Sequence, residues 1–257
     1  MAGIRGSIAA DCGPIPWHSP FPARPLRASL RAMAIRTCIF DAYGTLFDVA
    51  AAARMAADRP GGEVLKDSWP TVAAEWRRKQ LEYTWLRAAA DRHTDFWQVT
   101  QDALDWVLEA QELSDPDLGE QLLGLYRQLS VYPEVPEVLK VLRARGMTLA
   151  ILSNGTPKML TDACGAAGIG DAFDALLSVE DVGVFKPDAR VYDMVGARFG
   201  TDPSEVLFMS SNGWDAAGAA GYGFNTAWVN RAGDPVDRLY ARPSHVIADL
   251  TAVPELV

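Results

Sequence analysis

Four short clusters of polar residues in this 257-residue sequence could take part in chemistry, and they lie far apart along the chain. Asp41 offers a carboxylate that could act as a nucleophile or a base. Lys186 offers a positive charge that would keep such a carboxylate ionised. Hydroxyl and amide groups come from Ser153-Asn154-Gly155 and from Ser210-Ser211-Asn212. Such a set could bind and attack a small anionic substrate if the chain brought the clusters together.

The clusters follow short apolar runs that alternate with helical patterns. Runs typical of buried strands lie at residues 37–40, 148–152, 175–179, 206–209, 226–229 and 245–247. Helical patterns lie near residues 134–145, 156–167, 188–199 and 214–220. Because apolar runs separated by helices are typical of a parallel sheet covered on both faces, we predict a doubly wound α/β domain. The active crevice of such a sheet lies at the carboxyl ends of its strands, where these polar residues fall.

The stretch from residue 49 to residue 131 interrupts the alternation with one helical pattern after another. Five of the eight tryptophans lie in this stretch, where we expect an aromatic core: Trp69, Trp76, Trp85, Trp97 and Trp106. We therefore predict a core domain made of residues 35–48 and 132–257. Residues 49–131 are predicted to form a helical cap inserted after the first strand.

The first 34 residues differ in composition from the rest of the chain. They contain five of the sixteen prolines and several arginines, but a single acidic residue, Asp11. We expect this segment to be a disordered extension, because it has little to bury. Two explanations stay open: a leader of the transit type, or a start codon assigned too early, with translation beginning at Met33.

Composition argues against several classes of protein. The net charge of −9 would repel nucleic acid, and no apolar run reaches the length of a membrane span. Paired or metal-type spacing is absent among the cysteines and histidines: Cys12, Cys38, Cys164, His18, His93 and His245. This pattern favours neither a zinc site nor a disulfide framework, so a reducing cytoplasm is the simplest location.

Taken together, the motifs resemble the haloacid dehalogenase superfamily, whose core is Rossmann-like. They are Asp41-Ala42-Tyr43-Gly44-Thr45-Leu46, Ser153-Asn154-Gly155, Lys186-Pro187 and Ser210-Ser211-Asn212-Gly213-Trp214-Asp215. A cap segment is similar to the type II L-2-haloacid dehalogenases: Trp76-Arg77-Arg78-Lys79-Gln80-Leu81-Glu82-Tyr83-Thr84-Trp85. The resemblance extends from about residue 35 to the C-terminus.

The resemblance implies a hydrolase that uses no cofactor or metal and that displaces halide from a small 2-haloalkanoic acid. Asp41 would attack C2 and form an aspartyl ester, while Lys186 keeps Asp41 ionised. Arg77 and Asn154 would stabilise the departing halide. The remaining catalytic candidates would position the hydrolytic water or support that network: Thr45, Tyr192, Ser210, Asn212 and Asp215.

Substrate contacts are implied in the same way. The Ser153 hydroxyl and the backbone N–H groups after the nucleophile, at Ala42 and Tyr43, would bind the substrate carboxylate. Candidates for the apolar wall around the alkyl group are Tyr43, Leu81, Phe96 and Trp214. Neighbouring helix positions point about 100° apart, so we expect Arg78 to be solvated when Arg77 faces the site. Ser211 is expected to be structural.

Tyr43 separates this sequence from the magnesium phosphatases of the superfamily. They carry a second aspartate at this position, two residues after the nucleophile, where it protonates an alkoxide leaving group. Halide is a stable anion that needs no such acid, and Asp215 is the one carboxylate in its motif. We predict hydrolysis of (S)-2-haloalkanoic acids to (R)-2-hydroxy acids.

Alternatives remain open at this point. Related hydrolases with this motif set open azetidine-2-carboxylate or act on fluoroacetate. A phosphatase and a non-catalytic interaction protein on the same fold are the further alternatives. The resemblance also implies a homodimer.

Overall fold

The computed structural model describes residues 34–257. The expected N-terminal extension of residues 1–34, with a start at Met33 as one explanation, lies outside the described residues except for Ala34.

A six-stranded parallel sheet forms the centre of the fold, with the strand order β3-β2-β1-β4-β5-β6. The strands are β1 Thr37–Phe40, β2 Thr148–Ser153, β3 Ala175–Ser178, β4 Val206–Ser210, β5 Asn225–Val229 and β6 His245–Ile247. Strand β1 pairs with β2 on one side and with β4 on the other. Strand order therefore reverses beside β1, and the crevice at such a switch point is where α/β sheets bind ligands. The predicted fold class is confirmed.

Eight α-helices accompany the sheet within residues 34–257. They are α1 Ala51–Ala57, α2 Trp69–Ala89, α3 Phe96–Ala110, α4 Pro116–Tyr126, α5 Val135–Ala144, α6 Pro157–Ala166, α7 Ala189–Phe199 and α8 Gly213–Tyr222. Helices α5 to α8 connect the strands as the sequence predicts. No helix among the described residues is long and apolar enough to traverse a lipid bilayer.

Local sequence explains where the core helices begin. Helix α6 starts after Thr156, whose hydroxyl accepts a hydrogen bond from the backbone N–H of Met159. Helix α7 starts after Asp188, which caps it through Arg190 N–H. Both caps directly follow a strand-end loop, so each helix leaves the rim of the sheet in a fixed direction.

The inserted helices α1 to α4 leave and rejoin the sheet at one place. The backbone N–H of Asp48 donates to Ser130 O at 2.9 Å, and that of Tyr132 donates to Leu46 O at 3.0 Å. The two ends of the insertion are therefore adjacent, and the helices between them can extend over the crevice without disturbing the sheet.

The expected aromatic core of five tryptophans is only partly present. Trp76 is buried, and its indole N–H donates to the backbone oxygen of Thr100 at 2.9 Å. Trp85 and Trp106, by contrast, are 40% and 39% exposed. Trp69 and Trp97 are half-buried against the core, so Trp76 is the one of the five that is fully enclosed.

Candidate active site

Asp41 lies at the carboxyl end of β1 and is 6% exposed. Its Oδ1 accepts a hydrogen bond of 3.1 Å from Lys186 Nζ. Its Oδ2 accepts hydrogen bonds from Thr45 Oγ1 at 3.0 Å and from Asn212 Nδ2 at 3.1 Å. Three donors on one carboxylate fix the orientation of its oxygens, which a nucleophile at this position needs.

Lys186 links Asp41 to a second buried carboxylate. Its Nζ lies 2.9 Å from Oδ2 of Asp215, and the hydroxyl of Tyr192 donates to Asp215 Oδ1 at 2.8 Å. Burial lowers the pKa of Lys186, but the charges of Asp215 and Asp41 outweigh it and the pKa is raised. Burial raises the pKa of Asp215; Lys186 opposes this without restoring the ordinary value. The site therefore holds a protonated lysine between two carboxylates.

Asn154 fixes the loop that carries this lysine. Its Oδ1 accepts a hydrogen bond of 3.1 Å from the backbone N–H of Lys186. Asn154 follows β2 and Lys186 follows β3, so the contact joins two neighbouring strand ends. With Oδ1 engaged in this way, the amide nitrogen of Asn154 is the atom that could donate to a ligand.

A tight turn after β1 brings Thr45 back to the nucleophile. The Oγ1 of Thr45 accepts a hydrogen bond of 2.8 Å from Ser211 N–H and donates to Asp41. Gly44 has φ +90°, and a Cβ there would lie 2.9 Å from Ser211 Oγ. The turn thus requires glycine both for its backbone conformation and for space. Ser211 contacts Thr45 through its backbone N–H and, at 3.3 Å, through its hydroxyl, in keeping with a structural role.

Asn212 connects the nucleophile to the inserted helices. The Ser210 hydroxyl accepts from Asn212 N–H at 3.1 Å and so holds the residue in place. The Oδ1 of Asn212 accepts a hydrogen bond of 3.3 Å from Arg77, which also donates to Tyr43 O at 3.1 Å. Arg77 therefore reaches the strand ends from α2, and its side-chain partner there is Asn212; no such contact with Asn154 is found.

Arg78, the next residue on α2, points away from this site. It forms ion pairs with Glu75 at 2.6 Å and with Glu82 at 2.8 Å, and its side chain is 49% exposed. This agrees with the expectation from helix geometry that only one of the two arginines faces the crevice.

Aromatic rings form one wall beside the nucleophile. The Tyr43 ring stacks on Tyr126 at 5.5 Å between centroids and lies 6.0 Å from Phe96. Burial raises the pKa of Tyr43, so its hydroxyl stays neutral. Trp214 contacts Trp85 edge to face at 5.4 Å. Leu81, the fourth expected wall residue, is half-buried on α2. The four expected wall residues thus lie on the turn after β1, on α8 and on two inserted helices.

The loop after β2 provides a rigid polar corner. The Ser153 hydroxyl accepts from Gly155 N–H at 3.0 Å, and Ser178 donates to Gly155 O at 2.7 Å. Ser153 is buried, as is Ala42 after the nucleophile. These contacts hold Ser153 at the strand end, where it could bind an anion.

Two links between distant segments were not apparent from the sequence. Glu180 Oε1 accepts from Phe96 N–H at 3.1 Å, and its Oε2 lies 3.0 Å from His93 Nε2. Arg231 donates to Thr45 O at 3.0 Å and forms an ion pair with Glu134 at 2.7 Å. No motif marks these residues, because their partners come from remote parts of the chain.

Among residues 34–257, no group of three or more histidine, cysteine, aspartate or glutamate side chains is arranged to hold a metal ion.

The arrangement of strand ends around Asp41 agrees with comparisons against known proteins. Residues 35–223 match the family model of the haloacid dehalogenase-like hydrolases, and the chain belongs to this family. The resemblance inferred from the motifs is therefore confirmed.

Particular relatives are similar over nearly their whole length. The chain is 42% identical over 224 residues to (S)-2-haloacid dehalogenase 1 of Pseudomonas sp. strain CBS-3, covering 87% of this chain and 96% of that protein. It is also 42% identical over 223 residues to (S)-2-haloacid dehalogenase of Pseudomonas sp. strain YL, covering 86% and 94%.

A solved structure is similar in fold. It is the L-2-haloacid dehalogenase from Xanthobacter autotrophicus with chloropropionic acid covalently bound. Its TM-score is 0.77 at 36% identity, and the match covers 86% of this chain and 98% of that one.

Proposed function

We propose that this protein hydrolyses (S)-2-haloalkanoic acids to (R)-2-hydroxy acids and halide through an ester on Asp41. The observation that carries the proposal is the Asp41 carboxylate, held at 3.1 Å by buried Lys186 and facing a crevice that Arg77 enters. Relatives named (S)-2-haloacid dehalogenases support it. So does the similar structure that carries covalently bound chloropropionic acid.

The first step would be displacement at C2. An oxygen of Asp41 forms a bond to C2 while the carbon–halogen bond breaks, and halide leaves with the bonding electrons. Arg77 would stabilise the charge that develops on the halogen, with the amide nitrogen of Asn154 as a second donor. Attack from the side opposite the halogen inverts the stereocentre, which gives the (R) configuration from (S) substrates.

The second step would be hydrolysis of the ester. Water attacks the carbonyl carbon of the Asp41 ester, its oxygen stays on Asp41, and the 2-hydroxy acid leaves with a proton. Asp215, whose pKa is raised by burial, is suited to accept a proton from the water. Ser210 and Asn212 would position that water, and Tyr192 would orient Asp215 through its 2.8 Å hydrogen bond. Thr45 would hold the nucleophile in place.

Substrate recognition would use the remaining site residues. The Ser153 hydroxyl and the backbone N–H groups of Ala42 and Tyr43 would bind the substrate carboxylate. The alkyl group would contact an apolar wall formed by Tyr43, Leu81, Phe96 and Trp214. Residues 49–131 would act as the cap over the core made of residues 35–48 and 132–257, and Arg77 would be its main contribution to catalysis.

Catalysis is proposed to be independent of divalent metal ions. Two observations support this: Lys186 supplies the positive charge between Asp41 and Asp215, and Tyr43 replaces the acid that a phosphatase uses on its leaving group. The protein is further proposed to act in the cytoplasm, which its scattered cysteines favour, and to form a homodimer, which the resemblance to type II enzymes implies.

Halide release from a substrate panel tests the function. The panel contains chloro-, bromo- and fluoro-substituted acids, azetidine-2-carboxylate and p-nitrophenyl phosphate, with and without EDTA. We expect release from (S)-2-chloropropanoate that EDTA leaves intact and that Asp41→Asn abolishes. Phosphate release with a magnesium requirement would instead support a phosphatase, and ring opening alone an azetidine hydrolase.

A single turnover in H₂¹⁸O, with enzyme in excess, tests the ester. The covalent route yields unlabelled product and places ¹⁸O in the peptide that contains Asp41. Labelled product with an unlabelled peptide would show direct attack of water on C2 instead.

A further inference from the structure

An apolar cleft of about 500 Å³ lies beside the active site, between α2 and the core. Its lining is dominated by aromatic and aliphatic side chains: Trp85, Ala88, Phe185, Trp214, Leu239 and Tyr240. The one charged side chain among its described lining residues, Asp188, is paired with Arg190 at 2.9 Å. A volume of this size is typical of sites for small organic ligands.

Helix α2 connects this cleft to the catalytic residues. Arg77, Leu81 and Trp85 follow one another at intervals of four, so they lie on one face of the helix. Arg77 reaches Asn212 at one end of this face, and Trp85 lines the cleft at the other. Eight residues of helix separate the two by about 12 Å.

The core side of the cleft is built from the same loops that carry the catalytic groups. Phe185 and Pro187, which line it, flank Lys186, and Trp214 directly precedes Asp215. The Trp214 ring meets the Trp85 ring at 5.4 Å, so the two walls are in contact beside the site. The cleft shares Trp214 with the proposed alkyl wall, and the Phe185 ring in its lining lies 6.2 Å from the ring of Phe96 in that wall.

We propose that this cleft is a subsite for the alkyl tail of longer 2-haloalkanoic acids, with Trp85, Leu239 and Tyr240 as specificity-determining residues. The inference rests on the proposed function and extends it to a substrate class. A substrate fixed by its carboxylate and halogen near Asp41 has one remaining substituent, and an apolar one matches the chemistry of the cleft. Each methylene buried there would improve kcat/KM about fourfold.

The test compares kcat/KM for racemic 2-bromooctanoate with that for racemic 2-bromopropanoate, measured as bromide release. The two acids differ by five methylenes, so we expect kcat/KM for 2-bromooctanoate to be higher by at least tenfold in the wild type, and by up to about a thousandfold if the whole tail is buried. Trp85→Ala and Leu239→Asp should lower this ratio tenfold or more, because the first removes a wall and the second places a charge in the cleft. Trp106→Ala, an equally exposed tryptophan elsewhere on the inserted helices, should leave the ratio unchanged.

Octanoate and propanoate, which carry no halogen, provide a readout that is independent of the chemistry. As competitive inhibitors, octanoate should bind the wild type more tightly, and the two cleft variants should lose this preference. An unchanged ratio in both variants would overturn the subsite.

The oligomeric state of the same variants, measured by light scattering, separates the subsite from a docking surface. Dissociation of a dimer with an unchanged ratio would show that the cleft is instead an interface between two copies of the chain, which also overturns the subsite. If the wild type releases no bromide from 2-bromopropanoate, the proposed function itself fails. If bromide is released from 2-bromopropanoate but kcat/KM is no higher for 2-bromooctanoate, the subsite is rejected and the proposed function stands.

Discussion

The Lys186 ammonium donates a 3.1 Å hydrogen bond to Asp41 Oδ1, although 145 positions separate the two residues in the chain. Lys186 is 1% exposed, and the same Nζ also contacts Asp215 at 2.9 Å. One buried ammonium therefore compensates two buried carboxylates. We therefore expect activity and stability to depend on the same side chain.

Lys186→Met tests that dependence. We expect halide release to fall a hundredfold or more, on the order of the loss from removing a key electrostatic group. The free energy of unfolding should fall by about 3–5 kcal/mol, because two buried carboxylates lose their partner. Urea denaturation measures this change in the free energy of unfolding. Lys140→Met, which removes an exposed lysine, is the control, and an equal loss of stability in both variants would contradict the prediction.

Alkaline pH should destabilise the protein, because several of its buried groups have raised pKa values. Burial raises the pKa of Tyr43, burial and Asp215 raise that of Tyr192, and the pKa of Lys186 is raised despite burial. A group with a raised folded-state pKa contributes stability that is complete below its unfolded-state pKa. That contribution is lost as pH rises toward the folded-state value, because the unfolded chain releases the proton first.

The free energy of unfolding should accordingly begin to decline near pH 9, because burial also raises the pKa of Cys38 to about 12 and that of Cys164 to about 11. The decline should steepen above about pH 10, where the unfolded tyrosines and lysine titrate. Each group contributes up to about 1.4 kcal/mol per pH unit to the decline. Urea denaturation between pH 8 and 11 measures it. Tyr43→Phe removes one ionisable group, so the free energy of unfolding should fall less steeply with pH. An identical slope would argue against the buried state of this phenol.

Arg77 and Arg78 offer a matched pair on α2. Arg77 donates to Asn212 and to Tyr43 O, whereas Arg78 is paired with Glu75 and Glu82 at the surface. We expect Arg77→Ala to lower kcat/KM by about a hundredfold or more, because it removes a donor for developing charge. Arg78→Ala should stay within a few-fold of the wild type. Comparable losses in the two variants would show that the halide is stabilised elsewhere.

Glu180 is expected to hold the inserted helices against the core. Its carboxylate accepts from the N–H of Phe96, the first residue of α3, and contacts His93. Glu180→Ala should raise KM more than it lowers kcat, because Phe96 belongs to the proposed alkyl wall. Glu180→Gln keeps an acceptor for Phe96 N–H, so its KM should lie close to that of the wild type. Glu137→Ala, an exposed glutamate on α5, is the control. A fall in kcat alone would contradict this role.

The sequence by itself determined the fold class and the positions of the catalytic candidates. Apolar runs such as Val206–Met209 indicate buried strands, and parallel strands place Asp41, Ser153 and Asn212 at one rim. The local features that carry this inference are the short apolar runs and the helices between them, because parallel neighbours require a crossover connection that is usually a helix. The orientation of Arg77 relative to Arg78 also follows from helical geometry alone.

Only the tertiary structure decided which of these groups touch. Arg77 donates a hydrogen bond to Asn212, whereas Asn154 accepts one from the backbone N–H of Lys186. Both asparagines follow strands of the same sheet. Glu180 contacts Phe96 and His93, which precede it by 84 and 87 positions, and no sequence motif in either segment indicates these contacts. The exposure of Trp85 could not be predicted, because an indole ring is apolar enough for an interior. Such contacts depend on how whole helices pack against one another, and that packing is a property of the complete chain.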